Sequence, residues 1–388
     1  MLPDRKKNML PELYLTCLQS QLTTAQFLTL EILVWLLQVH KQVKIERLAA
    51  HFPLPILFES RRRHIQRFLK LPMMSVSLLW FPLIEGIIKI KFKPGKRLYL
   101  AIDRTQWKDK NLFMVGVIIE RRAIPVYWQF LEKRGASNLA EQQALLRPIL
   151  PLLKNYELIV LGDREFHSIE LAKWLKSRKI YFVLRQKKDT NFQRKGQEYQ
   201  ELNSLGLTPG MKLFLTGIKV TQSQGFGGAN IGAYWRRKYR GKVEKEPWYL
   251  LTNFDSLGEA IKAYKKRVGI EAMFKDCKTG GYNLEGSKAS IERLTRLVLL
   301  IAIAYTSSTL KGKIIKVKGQ KEYSSRLRKI KQRLTKNSNF WIGLYGDVWT
   351  ITREFVREWV EKYMRVNRNK LPFYQRGLRA MKIIQQAL

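Results

Sequence analysis

The sequence predicts a mixed α/β core flanked by helical regions, and three observations carry that prediction. Three β-rich runs, "RLYLAIDRTQW", "LFMVGVIIE" and "AIPVYWQFL", follow one another from residue 97 with turn-like breaks between them. Next come "ELIVLGDREF", "SIELAKWLKSRK" and "IYFVLRQ", which read as strand, helix, strand. On either side of this block the apolar residues recur at helical spacing. Meandering strands followed by alternating helix and strand make a mixed sheet, and this order matches an RNase H-like core.

The elements divide into five regions. Residues 1–95 read as helical, from "TTAQFLTLEILVWLLQVHKQ" through "KIERLAAHFPLPILFESRRRHIQRFLKLP". Within them, "IERLAAHF", a Pro-containing turn and "FESRRRHIQRFL" have the rhythm of a helix-turn-helix, with Arg61, Arg62, Arg63 and Arg67 beside the second helix. A basic amphipathic helix is the equally good bland reading. Residues 96–186 hold the first part of the core. Residues 187–253 form a β-rich insertion, with "KLFLTGIKV", "PWYLLTNF" and the tip "GFGGANIG"; no helix follows those glycines directly, so they read as a hairpin end and not as a phosphate loop. Residues 254–311 return to the core as helices, and 312–388 form a basic helical C-terminal region. Residues 311–336 carry eleven Lys or Arg against the single Glu322, a solvated face or a phosphate-contacting one.

Composition limits the function. Seventy-two Lys and Arg against 31 Asp and Glu give a net charge of +41, and 45% hydrophobic residues argue for a folded chain. Self-repulsion at that level points to a polyanionic partner, DNA or RNA before an anionic membrane. The apolar runs at 27–39 and 297–305 are shorter than a bilayer span and read as buried helices. "MLPDRKKNMLPE" lacks the apolar core of a signal peptide, and Cys17 and Cys277 make neither a disulfide framework nor a cysteine zinc site. A cytoplasmic, nucleoid-associated protein is expected.

Asp103 closes the apolar run "LYLAID", and Asp163 closes "ELIVLGD". Each alone reads as a turn former or helix cap. Together, at the ends of adjacent buried strands, they suit a hard cation such as Mg²⁺ or Mn²⁺. The third acid comes from "AYKKRVGIEAMFKDCKTGG". Ser256 with Glu259 as a capping box and Gly280-Gly281 as a stop predict one helix over about 257–279. At ~100° per residue, Tyr264, Arg267, Glu271 and Lys278 then share one stripe, with Ile270, Met273, Phe274 and Cys277 as an apolar strip beside it. On this reading Glu271 is a third ligand of a two-ion site, and Arg267, Lys278 and Tyr264 hold phosphates. An exposed face laced with Glu–Lys pairs is the alternative.

The spacing of Tyr264, Arg267, Glu271 and Lys278 resembles the YREK signature of bacterial insertion-sequence transposases of the fourth, DDE, family. "LAIDRTQW" and "VLGDREFHS" are similar to its motifs around the first two acids, and the 108 residues between Asp163 and Glu271 resemble members with a β-rich insertion. The resemblance covers about 97–285. It implies cut-and-paste transposition: Asp103, Asp163 and Glu271 bind two Mg²⁺ or Mn²⁺ ions, 3′ ends are freed by hydrolysis, a hairpin forms and reopens, and the ends are joined to target DNA. It further implies a homodimer that pairs the terminal repeats, and a stacking role for Trp248 of "WYLLT", which reads equally as a buried strand aromatic. Relatives often place a small or acidic residue where Arg104 stands, and His167 reads as a surface residue after a strand end. Two other readings share these residues: a DDE nuclease that cuts without integrating, and a decayed transposase that only binds DNA. Three intact acids speak against decay.

Overall fold

A computed structural model describes residues 10–222, 225–237, 244–329, 334–335 and 337–386. The chain forms two compact units, one from Met1–Ile87 with Lys275–Leu388 and one from Ile88–Phe274. The five linear regions therefore map onto two units of packing. Residues 1–9, read above for a leader, and residues 330–333 and 336 of the basic run lie outside the described residues.

The first unit begins with helices whose ends the sequence specifies. After α1 (Glu12–Gln19), Thr23 and Gln26 exchange side-chain and backbone hydrogen bonds as a capping box that starts α2 (Thr24–His40). Then come α3 (Ile45–His51) and α4 (Phe58–Lys70), separated by a six-residue turn with Pro53 and Pro55. In α4 the apolar positions Ile65, Phe68 and Leu69 are buried, so the basic positions face outward. A π-turn over Val76–Trp80 leads to α5 (Phe81–Lys91).

The second unit is built on one ten-stranded sheet. β1 (Arg97–Trp107), β2 (Lys110–Ile119) and β3 (Arg122–Leu131) form an antiparallel meander. Two-residue turns join them, with Lys108 and Glu120 taking the left-handed conformation that such turns need. After α6 (Leu139–Leu146), β4 (Glu157–Gly162) pairs parallel with β1; after α7 (Ile169–Ser177), β5 (Tyr181–Gln186) pairs parallel with β4. The expected insertion then follows as β6 (Asn191–Gln193), β7 (Gln200–Glu201), β8 (Lys212–Val220), β9 (Phe226–Tyr234) and β10 (Trp248–Thr252). It does not stand apart from the core. β10 pairs with β5, and the order β3-β2-β1-β4-β5-β10-β9-β8-β6-β7 is continuous.

The segment expected as one helix over 257–279 is broken. It forms α8 (Leu257–Tyr264), a 3₁₀ turn over Lys265–Arg267 and α9 (Val268–Cys277), leaving Lys278 outside. The expected capping box is absent: Ser256 makes no side-chain cap bond, and the Glu259 carboxylate goes instead to Arg97 of β1 at 3.0 Å. Arg97 also pairs with Glu157 of β4 at 2.5 Å, so one guanidinium ties two strands to α8. The apolar strip Ile270, Met273, Phe274 and Cys277 is buried.

The first unit resumes with α10 (Ile291–Val317), α11 (Lys321–Ser324), the short pair β11 (Leu327–Lys329) and β12 (Leu334–Thr335), α12 (Asn339–Phe355), α13 (Arg357–Val366) and α14 (Leu371–Gln385). Among the described residues α10 is the one helix long and apolar enough to cross a membrane, longer than its apolar run suggested. Yet 83% of its most apolar window is buried, as in a central core helix. It packs closely on α12 at Gly312 and Gly343, where a Cβ on either glycine would collide with a backbone carbonyl of the other helix. Lys311, expected on a solvated or phosphate-contacting face, is instead buried and holds Asp347 of α12 at 2.7 Å.

Candidate active site

The register of the sheet aligns the two aspartates. Partners in the β1–β4 pair differ by 60 positions, as in Leu98 with Leu158 and Ala101 with Leu161. Two residues past that last pair come Asp103 and Asp163, on adjacent strands that lie ~4.8 Å apart; Asp163 directly follows β4, but Asp103, expected to close its strand, sits within β1, which runs on to Trp107 because it keeps pairing with β2. β1 still pairs with β2 there, through Asp103 and Met114, whereas β4 has ended at Gly162. The β4 side of β1 thus opens where Asp103 stands. Asp163 turns the chain into a 3₁₀ helix over Arg164–Phe166, its Oδ1 accepting the Glu165 N–H at 2.9 Å.

Glu271 arrives from the α9 side. Gly269 allows it: a Cβ there would press on Ile118 of β2 and on the backbone at Arg122 and Ala123, so the bare backbone lets the helix approach the β2–β3 turn. Arg267 joins the acids. Its Nη1 donates to Asp103 Oδ2 at 3.2 Å and its Nη2 to Glu271 Oε1, and the side chain is only 11% exposed. Asp103 Oδ1 accepts the Arg104 N–H at 2.8 Å.

The electrostatics follow from that geometry. Burial pushes the Asp103 carboxyl up to about 6; Arg267 opposes the rise, and Asp163 and Glu271 add to it by like-charge repulsion. Burial works against the Arg267 charge, but Asp103, Tyr264, Glu271 and Asp163 together hold its proton more tightly than usual. The sequence reading gave Arg267 to DNA phosphate. In this structure its guanidinium is spent on two carboxylates.

Arg104 and Glu165 form a feature the sequence reading missed. Arg104 Nε and Nη2 donate to the two carboxylate oxygens of Glu165 at 2.7 and 2.8 Å, and its Nη1 donates to Gln106 and Asn111 at 3.1 Å each. The pair joins the residue after Asp103 to the residue two beyond Asp163, so it ties β1 to the 3₁₀ turn that follows β4. The signal was present in "DREF", whose Glu165 supplies a partner for the out-of-pattern Arg104. The two side chains are 15% and 19% exposed, so Arg104→Ala, which leaves Glu165 unpaired, is expected to cost about 2–3 kcal/mol. Urea unfolding checks this; a loss below about 0.5 kcal/mol would show the clamp to be a surface pair.

Other expected site residues lie elsewhere. Tyr264 is 5% exposed and meets Trp248 edge-on, ring centroids 5.0 Å apart; Trp248 also packs edge-on against Tyr234. Both aromatics belong to the apolar cluster of Ile159, Leu161 and Val183. Lys265 lies over Tyr234 and Lys266 over Tyr99. In the other unit, Lys278 pairs with Glu285 at 2.6 Å. Arg62 and Arg63 share Glu59, and Arg61 donates to Phe52 O at 3.4 Å.

The donor set of Asp103, Asp163 and Glu271 is all carboxylate oxygen, the chemistry that a hard divalent cation accepts. Among the described residues, however, no three acids, histidines or cysteines are gathered as tightly as a metal site requires. Arg267 stands between two of the carboxylates.

A family model for the transposase DDE domain matches residues 98–307, 210 of the 388 residues. The chain belongs to the DDE transposases. The matched segment contains Asp103, Asp163 and Glu271 of this DDE transposase. No curated protein matches the sequence. Among solved structures, the chain is similar to a piggyBac transposase synaptic complex with hairpin DNA, at 16% identity over 80% of this chain, with a TM-score of 0.40; it spans 63% of that chain's length. It is also similar to the Argonaute of Marinitoga piezophila, at 12% identity over 57% of this chain and 33% of that one, with a TM-score of 0.24.

Proposed function

We propose that the chain is a cut-and-paste transposase of the fourth insertion-sequence family, with Asp103, Asp163 and Glu271 as the catalytic acids of an RNase H-like core. The observation that carries this reading is the arrangement of two register-matched aspartates and a helix-borne glutamate around Arg267, inside a DDE transposase domain. A meander joined to parallel strands supports the RNase H-like assignment. Its partner is DNA, in keeping with a charge of +41, and it works as a homodimer on paired element ends in the cytoplasm.

The three carboxylates would hold Mg²⁺ or Mn²⁺. Ions held there would supply the charge that activates a water or a sugar hydroxyl and steadies the leaving oxygen of a phosphodiester. The residues of this chain do the positioning. The sheet register sets Asp103 and Asp163 side by side, the Arg104–Glu165 clamp ties β1 to the turn after β4, and Arg267 offsets the charge of Asp103 and Glu271.

The test is a cleavage assay with purified protein and DNA bearing the element end that flanks the gene. Nicking or a hairpin at that end, dependent on Mg²⁺ or Mn²⁺ and abolished by EDTA, is the expected result. Absence of any cleavage, with terminal repeats demonstrably present, would refute the catalytic reading.

A further inference from the structure

Helix α4 distributes its cations unevenly. Arg62 is engaged by Glu59 through two hydrogen bonds of 2.8 Å, and Arg61 is turned back to the carbonyl of Phe52 and the ring of Phe58. Arg63, Arg67 and Lys70, at i, i + 4 and i + 7, fall on one face of the helix. Together with Ser60, Gln66 and Arg293 of α10, they line a cavity of about 380 Å³. Four cations and no carboxylate surround it.

The local contacts leave this charge uncompensated. Arg63 is 71% exposed and reaches Glu59, which Arg62 already shares; Arg67, Lys70 and Arg293 have no carboxylate partner among the described residues. The nearest acid on α10, Glu292, is taken by Arg296 at 3.2 Å, and Arg296 also donates to Leu69 O at the end of α4. That contact fixes the start of α10 against α4, so the convergence of cations is built in. A second cavity, of about 260 Å³, shares Arg293 and brings in Lys44 and Lys288 together with one acid, Glu46. Fixed like charges repel, and an anion with several oxygens relieves the repulsion best; guanidinium and ammonium groups bind phosphate in this way.

We propose that the α4–α10 cavity is a seat for the phosphodiester backbone of duplex DNA, held through Arg67, Lys70 and Arg293. This rests on the reading that the partner is DNA. It changes the expected role of the helix-turn-helix: the cations of α4 that remain available face α10, so α4 grips backbone irrespective of sequence and does not read bases with its arginines.

The experiment uses the full chain, in EDTA to separate binding from cutting, and a fluorescent 30-base-pair duplex in two versions, the element end and a shuffled sequence. Anisotropy titrations across a chloride series give the slope of log K against log salt. Arg293→Gln and Lys70→Gln are each expected to lower that slope by ~0.9, the value for one phosphate contact, and to weaken both duplexes several-fold and equally. Arg62→Gln, outside the cavity, is expected to change the slope less. Unchanged slope and affinity in Arg293→Gln and Lys70→Gln, with melting temperatures equal to the parent, would overturn the proposal. So would a loss confined to the element-end duplex. Inorganic phosphate that raises the melting temperature of the parent but not of Arg293→Gln, with duplex affinity untouched, would mark a free-phosphate site and equally overturn it. A chain that fails to cut DNA but shows the slope change would refute the catalytic reading and leave this one standing.

Discussion

Asp103→Asn is expected to abolish metal-dependent strand cleavage, lowering the rate on the order of 10³-fold or more, while leaving the fold and DNA affinity intact. A divalent ion contributes several kcal/mol of charge stabilisation in phosphodiester chemistry, and each ~1.4 kcal/mol is a factor of ten in rate. Loss of a carboxylate from the most buried donor position forfeits most of that contribution. Asparagine keeps the shape of aspartate, and its carbonyl oxygen still accepts a hydrogen bond from the Arg104 N–H or from Arg267. The substitution also removes a charge that burial disfavours, so no loss of stability on the scale of a core defect is expected. Single-turnover cleavage of a labelled element end, beside thermal melting and anisotropy, checks all three statements. Retention of more than about a tenth of the parent rate would exclude Asp103 as a ligand.

The second large effect is expected in the helical unit, far along the chain from these acids. Lys311→Met should destabilise the unit by about 3–5 kcal/mol, because it strands Asp347 in the interior. The two side chains are 3% and 7% exposed. Burial pushes the Asp347 carboxyl up and Lys311 opposes that rise, so the lysine is the partner that offsets the burial of this acid. Pairing the change with Asp347→Leu should recover most of the loss, since an apolar pair of similar volume avoids the desolvation of both ions. Chemical denaturation of the two variants measures the difference. Equal stabilities for the single and double variants would show that the penalty does not come from the stranded charge.

The sequence exposed the two buried strands that carry the aspartates best, although β1 runs on past Asp103 to Trp107. Asp103 and Asp163 close runs so apolar that a buried strand is their only sensible home, and strand pairing then fixes their separation. The burial of Ile270, Met273, Phe274 and Cys277 was equally legible, since those positions keep one face of α9. The polar stripe was not. A 3₁₀ turn advances about 120° per residue where an α-helix advances about 100°, so the break at Lys265–Arg267 puts Tyr264 out of phase with Glu271 and into the core. Periodicity also cannot name a partner 164 positions away, which is why Arg267 read as a phosphate ligand before Asp103 claimed it. Glu259 was lost as a cap for a similar reason: Arg97, 162 positions upstream, supplies a partner that local pattern does not reveal. Lys311 lies in a run of cations whose chemistry suggested solvent or phosphate, and only the facing Asp347 accounts for its burial.

The union of the insertion with the sheet bears on how such a chain can change over generations. β10 covers the edge of β5, whose Phe182, Val183 and Leu184 are fully buried, and β9 and β8 follow in turn. A lineage that deleted the segment would inherit a bare apolar strand edge, a template for intermolecular pairing. Hairpin ends can gain or shed residues at small cost, but loss of β8, β9 and β10 would require a new cover for that edge.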